Sequence, residues 1–144
     1  MRTSKLLLLF IAILLAISSS ANAGGVCPQD RKTKAGPVNI VGTDQTAGAN
    51  LEHGKALYEK DAKPMACKVC HGDAGDGTGK AGASLTPAPL NFTCKETTKG
   101  ISPGQLFYTI KEGSVGTGMT AFGKTLSDKD IWDVVKYIQA TFMK

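Results

Sequence analysis

The sequence has few of the features that mark membrane-spanning, nucleic-acid-binding or multidomain proteins. Its longest apolar run, residues 6–17, has 12 residues, whereas a membrane-spanning helix needs about 20. It has no cluster of arginines and no pattern of interleaved aromatic and basic residues. No internal repeat, low-complexity tract or strand-rich region is present. We therefore expect no stable membrane span, no nucleic-acid partner and no second full domain.

The first residues predict an export signal. Two basic residues precede the apolar run, and Ala21-Asn22-Ala23 has the small-x-small pattern of a cleavage site. We predict a signal peptide over residues 1–23, cleaved after Ala23. An uncleaved anchor and a lipid-modified Cys27 are the alternatives, and the bulky residue before Cys27 weakens the second. The remaining 121 residues carry 15 lysines and arginines against 12 acidic residues, a balance too mild to indicate a polyanionic partner.

The central motif is Cys67-Lys68-Val69-Cys70-His71. This C-x-x-C-H spacing is the attachment signature of c-type haem, in which both thiols form thioethers and the histidine binds iron. We therefore expect one covalent haem c. A thioredoxin-like dithiol pair would need a βαβ pattern, which the chain does not show. A zinc site is disfavoured because a single histidine lies near the pair.

The other two cysteines, Cys27 and Cys94, are expected to pair in an oxidising compartment. Two independent thiols are the alternative. Residues 24–48 are rich in Gly, Pro, Thr, Asp and Lys and predict an irregular N-terminal extension. Within it, Val38, Ile40 and Val41 suggest a short strand-like contact.

Three helices are predicted around the motif. Asn50 caps the first, which ends near Lys63, and Gly54 inside it suggests close approach of another backbone. Ser102 and Gln105 form a capping box for a second helix that Gly113 ends, and Ser127 begins the last. Between the motif and the second helix, the glycines of residues 72–82 predict a loop, and the prolines of residues 85–92 predict an extended wall.

A second axial ligand would decide the use of the iron, and four side chains are candidates: His53, Met65, Met119 and Met143. Met65 lies too near the attachment turn to reach the opposite face. Met143 is at the chain end, and His53 is most simply a surface histidine. Met119 follows a glycine-containing loop that can bring it against the opposite haem face, so we favour Met119 over the common role of methionine as core filler.

Four segments together resemble a known family. They are Cys67-Lys68-Val69-Cys70-His71-Gly72, residues 85–92, Gly118-Met119-Thr120-Ala121-Phe122, and residues 126–138 of the last helix. In this order they resemble class I monohaem cytochromes c of bacterial type, over residues 50–142. The resemblance implies an all-α fold in which the first and last helices cross and short helices and loops wrap one haem, with the cytochrome domain over residues 49–144.

The resemblance also implies site residues and a role. Gly54 and Tyr58 would cross the last helix, and a carbonyl in the segment from Pro87 to Pro89, which we take to be that of Pro87, would accept the Nδ1 proton of His71. The cofactor-binding set is then Cys67, Cys70, His71, Met119 and Pro87, with His71 and Met119 on the metal. The chain departs from the family pattern at Thr120, where relatives often have proline, and in the N-terminal extension.

The function expected from these features is that of a monomeric periplasmic electron carrier, not an enzyme. Its partners would be other redox proteins, met through a transient interface near the haem edge, with Lys68, Lys80 and Lys124 as guesses for its rim. The alternative is a haem enzyme or subunit with an open iron position for peroxide or small-molecule chemistry. No arrangement of distal His or Arg side chains is visible to assist that chemistry.

Overall fold

The computed structural model describes residues 25–30 and 33–144, so the predicted signal peptide lies outside the described residues. Within these ranges the chain is helical and has no strand, which confirms the all-α prediction. Short 3₁₀ turns cover Thr46–Gly48 and Gly82–Ser84. The α-helices are α1 (Val38–Val41), α2 (Leu51–Ala56, continued by a π turn over Leu57–Asp61), α3 (Lys68–His71), α4 (Lys95–Thr98), α5 (Pro103–Glu112) and α6 (Asp128–Thr141).

Helices α2 and α6 cross at a glycine. A Cβ atom at Gly54 would overlap the carbonyl oxygen of Asp133 and lie 3.1 Å from the Cβ of Tyr137. The rings of Tyr58 and Tyr137 meet beside this point, with 5.3 Å between centroids. The expected crossing of these helices is therefore confirmed, and the absence of a side chain at Gly54 is what permits it.

A buried carboxylate joins the same two helices. The Asp133 side chain is fully buried, and it accepts hydrogen bonds from Asn50 N (2.6 Å), His53 Nδ1 (2.9 Å) and Lys129 Nζ (2.8 Å). Burial alone would raise the pKa of Asp133, but the donors from Lys129, Asn50 and His53 outweigh it and hold the pKa below its ordinary value. The carboxylate thus stays ionised and links α6 to the first turn of α2.

Helix α6 is the centre of the core. Ser127 and Asp130 cap it with a reciprocal box, as predicted. On its other side, Trp132 stacks on Phe107 of α5 with 4.5 Å between ring centroids and 17° between planes. Its own buried residues include Ile131, Val134, Val135 and Ile138, and the same core cluster contains Leu57, Phe92, Leu106 and Ile110 from other segments.

The capping box predicted for α5 forms only in half. Ser102 Oγ accepts from Gln105 N (3.1 Å), as expected. The Gln105 side chain does not return to Ser102. Its Oε1 accepts from Gly36 N (2.9 Å) and its Nε2 donates to Lys34 O (3.2 Å). Gln105 therefore holds the N-terminal extension on α5 instead of closing its own helix end.

The extension is more regular and more tightly attached than the sequence predicts. Val38, Ile40 and Val41 lie in the short helix α1, so the strand-like contact is wrong, and Ser102 Oγ donates to Val41 O (2.6 Å). Cys27 and Cys94 form a disulfide with 5.5 Å between their Cα atoms, which confirms their expected pairing. Gly104 has no side chain to separate α5 from the backbone of Ile40.

Candidate functional site

The C-x-x-C-H motif forms one helical turn. Cys67 is the N-cap of α3, and its carbonyl accepts from Cys70 N (3.2 Å) and His71 N (2.9 Å). Residues three and four positions apart lie on the same face of a helix. Cys67, Cys70 and His71 consequently all line one cavity.

The surroundings of the two thiols disfavour their ionised form. Burial raises the pKa of Cys67 to about 12 and raises the pKa of Cys70 above its ordinary value. Reactive dithiols have lowered pKa values, because a nearby positive charge or helix N-terminus stabilises the thiolate. This environment therefore does not resemble that of a thioredoxin-like redox pair.

The ring of His71 is held in a defined orientation. Its Nδ1 donates to Leu90 O (3.1 Å), and its plane stacks on Phe92 with 4.6 Å between centroids and 19° between planes. With the proton on Nδ1, the lone pair of the ring is on Nε2, the nitrogen that a metal would take. The assignment of this acceptor to Pro87 is wrong: the carbonyl belongs to Leu90, three residues later, and Pro87 only lines the cavity.

The glycine-rich loop folds back over α3. Backbone N–H groups of Gly77, Gly79 and Ala81 donate to the carbonyls of His71 (2.8 Å), Cys70 (3.1 Å) and Val69 (2.9 Å). A side chain at Gly79 would lie 2.6 Å from the carbonyl oxygen of Cys70. The loop thus satisfies the carbonyl groups at the end of α3, which a helix end otherwise leaves without partners.

Met119 reaches the same cavity from another part of the chain. Gly113 ends α5 with a φ of 74°, and the loop returns so that Met119 O accepts from Ser114 N (3.0 Å). Thr117 Oγ1 accepts from Met119 N (3.1 Å) and donates to Ser114 O (2.8 Å). Met119 is half-buried and lines the cavity.

The cavity has a volume of about 320 Å³ and is lined mainly by apolar side chains. This volume is within the range of roughly 300–1,000 Å³ that is usual for cofactor sites. Met65 also lines it, with 41% of its surface exposed, whereas neither His53 nor Met143 belongs to its wall. The wall predicted from the prolines is present: it includes Leu85, Pro87, Ala88, Pro89 and Leu90.

Haem c is not part of the described chain, but the donors fit it. Two thiols and an imidazole with its proton on Nδ1 lie on one turn, and a thioether lies on a separate loop of the same apolar cavity. Two thiols are what covalent attachment needs, and histidine with methionine is an established axial pair.

Two contributors to this site cannot be found from the sequence pattern. The Leu90 carbonyl is one, because a backbone acceptor is chosen by the path of the chain and not by residue type. The other is the N-terminal extension, whose Thr33 and Ala35 line the cavity. Nothing in their composition sets these residues apart from a surface loop.

Comparison with known proteins identifies the class of this site. Residues 49–138 match the family model described as cytochrome c oxidase, cbb3-type, subunit III. No curated protein sequence matches the chain. Among solved structures, the chain is similar to one described as "Kuenenia stuttgartiensis reducing HAO-like protein complex Kustc0457/Kustc0458", with 28% identity and a TM-score of 0.54. That match covers 69% of this chain and 44% of the solved chain.

The fold and the motif-bearing cavity are those of a c-type cytochrome. The chain belongs to the family of cbb3-type cytochrome c oxidase subunit III, because the match extends over more than half of its length. Covalent haem c and haem-based electron transfer follow from this membership. In the part of the chain that the structure describes, none of the helices has the length and apolar character needed to cross a membrane.

Proposed function

We propose that the chain is a periplasmic single-electron carrier with one haem c, attached through Cys67 and Cys70 and ligated by His71 and Met119. The observation that carries the proposal is the convergence of these four side chains on one apolar cavity from two distant segments. When bound, the haem supplies an iron that takes up and releases one electron. The protein's own residues hold, orient and shield that group.

Each residue has a distinct role in this proposal. The thiols of Cys67 and Cys70 form the covalent links, and His71 presents Nε2 to iron because its Nδ1 proton is held by Leu90 O. Met119 presents its sulfur from the loop after α5, which hydrogen bonds through Ser114 and Thr117 keep in place. Closing both axial positions favours electron transfer over ligand chemistry.

Two observations support export. The Cys27–Cys94 disulfide is of the kind that persists in oxidising compartments. The N-terminal residues also have the pattern of a cleaved signal. We propose a monomer that meets other redox proteins transiently near the haem edge. Of the guessed rim lysines, Lys68 forms an ion pair with Asp73 (2.9 Å), which reduces its net contribution to steering.

The test is Met119→Ala in the purified haem-bound protein. Haem should remain attached, because both cysteines and His71 are unchanged. The near-red sulfur-to-iron absorption band should disappear, the reduced protein should bind CO, and the reduction potential should fall. Each tenfold loss of preference for ferrous iron corresponds to about 59 mV for a one-electron couple, so we expect a decrease of at least that size. Optical titration measures all three effects.

Met65→Ala is the matched control, since Met65 is the other methionine of the cavity wall. It should leave the band and the potential close to those of the unmodified protein. A protein without added haem mass after purification from the periplasm would contradict the whole proposal. A wild-type protein that already binds CO readily and lacks the band would contradict the role of Met119.

A second role, as a haem subunit of a larger enzyme complex, is favoured by the comparisons. The family description names an oxidase subunit, and the similar solved structure is described as a protein complex. A haem enzyme or subunit with an open iron position, the alternative drawn from the sequence, is one form of this role. Co-purification of the tagged chain with a stoichiometric partner at native expression levels distinguishes it from a free carrier, which elutes alone.

A further inference from the structure

Gln29 forms hydrogen bonds with the backbone on both sides of Leu90, the residue whose carbonyl accepts from His71. Its Nε2 donates to Pro89 O (2.8 Å), and its Oε1 accepts from Asn91 N (2.8 Å). The side-chain amide thus contacts the residues before and after Leu90 in the way that a neighbouring peptide group would. Leu90 O, between these two bonds, is the acceptor for His71 Nδ1 at 3.1 Å.

Contacts other than these two side-chain hydrogen bonds fix Gln29 in place. Its backbone N donates to Thr97 Oγ1 (2.8 Å), and the disulfide two residues earlier ties Cys27 to Cys94. Asn91, which is only 3% exposed, donates from its side chain to Gly25 O (3.1 Å). The extension is therefore anchored around Gln29 by contacts other than its side chain, so that its amide is held in place where it meets residues 89–91.

We propose that Gln29 is a positioning residue for His71. It fixes the peptide segment that carries Leu90 O, and that carbonyl in turn fixes the ring orientation and the Nδ1 proton of the iron-binding histidine. Outer partners of this kind strengthen donation from the ring to the metal. The N-terminal extension, which the family pattern does not require, thereby becomes part of the electronic control of the site. This inference rests on the proposed role of His71 as an iron ligand.

The experiment uses the haem-bound, reduced protein labelled with ¹⁵N. In Gln29→Ala, both bonds around Leu90 are lost, so solvent exchange of the His71 Nδ1 proton, followed by NMR, should accelerate at least about tenfold, equivalent to about 1.4 kcal/mol. The reduction potential should rise, because weaker donation by His71 stabilises ferric iron less. The reduction potential reports on the donation from the ring itself. Exchange of the proton also responds to a general loosening of the structure, so it needs a control that loosens the extension elsewhere.

Gln105→Ala is the matched control. Gln105 also holds the extension through two side-chain hydrogen bonds, to Gly36 N and Lys34 O, and neither of them involves residues 89–91. Its removal should leave the exchange rate of the His71 proton within about twofold of the wild-type rate. Equal acceleration in the two variants would overturn the proposal, since it would show that any loosening of the extension has the same effect.

Gln29→Glu provides an internal rescue. A protonated carboxyl has one donor and one acceptor, as the amide does, whereas the ionised carboxylate can only accept and loses the bond to Pro89 O. The ionisable groups around this position are Asp30, Arg31 and Lys32, which follow Gln29 in the chain, Asp76, which lines the same small cavity, and Glu96, which contacts Cys27. In this variant the His71 Nδ1 proton should exchange at the wild-type rate in acid and faster than in wild type at neutral pH.

The outcomes separate the two hypotheses. If the wild-type protein lacks haem or His71 does not bind iron, the proposed function fails and the inference fails with it. If haem is bound by His71 but Gln29→Ala and Gln29→Glu both exchange at the wild-type rate throughout, only the positioning role of Gln29 is overturned.

Discussion

Substitution of Asp133 by Asn tests how the two crossing helices are held together. Asp133 Oδ1 accepts from Asn50 N, and Oδ2 accepts from both His53 Nδ1 and Lys129 Nζ. In Asp133→Asn, one amide oxygen can still accept from Asn50 N. The amide NH₂ group then faces His53 and Lys129, so both lose the hydrogen bond to a charged carboxylate.

The magnitude follows from the exposure of the two donors. A hydrogen bond to a charged group contributes about 1.5–3 kcal/mol, and the His53 side chain is 44% exposed, so we take the lower limit. The Lys129 side chain is 70% exposed, and an exposed ion pair contributes about 0.5 kcal/mol. We therefore expect a loss of about 2 kcal/mol at neutral pH. For a domain of this size, about 4 °C per kcal/mol gives a decrease in Tm of roughly 8 °C.

The effect should depend on pH with a defined sign. The pKa of Asp133 is lowered in the folded protein, and an unfolded aspartate has a pKa of about 3.9. The stabilisation by this carboxylate is therefore present above about pH 4 and is lost as the pH falls through the lower, folded pKa. The difference in unfolding free energy between wild type and Asp133→Asn should shrink in acid.

Thermal and denaturant unfolding at pH 7 and pH 3, with the haem-bound protein, measures both effects. The control is Asp128→Asn, on the same helix, which removes an exposed ion pair with Lys111 (2.7 Å) and should change stability by less than about 1 kcal/mol. Equal losses for the two variants at pH 7, or a difference for Asp133→Asn that does not diminish in acid, would refute the reasoning.

Two further predictions concern other contacts that hold the fold. Gly54→Ala should lower the unfolding free energy by about 2 kcal/mol, because its methyl group would overlap the Asp133 carbonyl and overpacking costs about 1–3 kcal/mol. Gly48→Ala, where nothing lies within 4 Å, is its control in denaturant titrations, and equal effects would contradict the role of the crossing. Replacing Cys27 and Cys94 together by alanine opens a loop with a separation of 67 residues and should lower stability by about 4 kcal/mol. A loss below about 1 kcal/mol in the same titrations would show that the extension stays docked without the bond.

The sequence predicts best the features that depend on neighbouring residues. The box of Ser127 and Asp130, the cap at Asn50 and the end of α5 at Gly113 all lie where their local patterns place them. Gly54 is also interpreted correctly, because a glycine within a helical pattern needs a packing reason.

The errors concern contacts between distant residues. The Gln105 side chain has a local partner in Ser102, but it binds the extension at positions 69 and 71 residues away. The acceptor for His71 is set by the course of residues 85–92, which two prolines and local turns direct, so Leu90 takes the place expected for Pro87. A short apolar group such as residues 38–41 fits a strand or a helix equally well, and packing on α5 decides in favour of a helix.

The disulfide between Cys27 and Cys94 closes residues 27–94 into a covalent ring and leaves residues 95–144 as an open tail. The ring contains α2, α3 and the whole Cys67–His71 turn, whereas Met119 and α6 lie in the tail. The cavity wall that carries Cys67, Cys70 and His71 therefore lies within a covalently closed ring, whereas the wall that carries Met119 does not. If the packing between the two walls loosens, the closed ring limits how far its residues can move apart. The tail that carries Met119 has no such covalent limit and is restrained by non-covalent contacts within the chain.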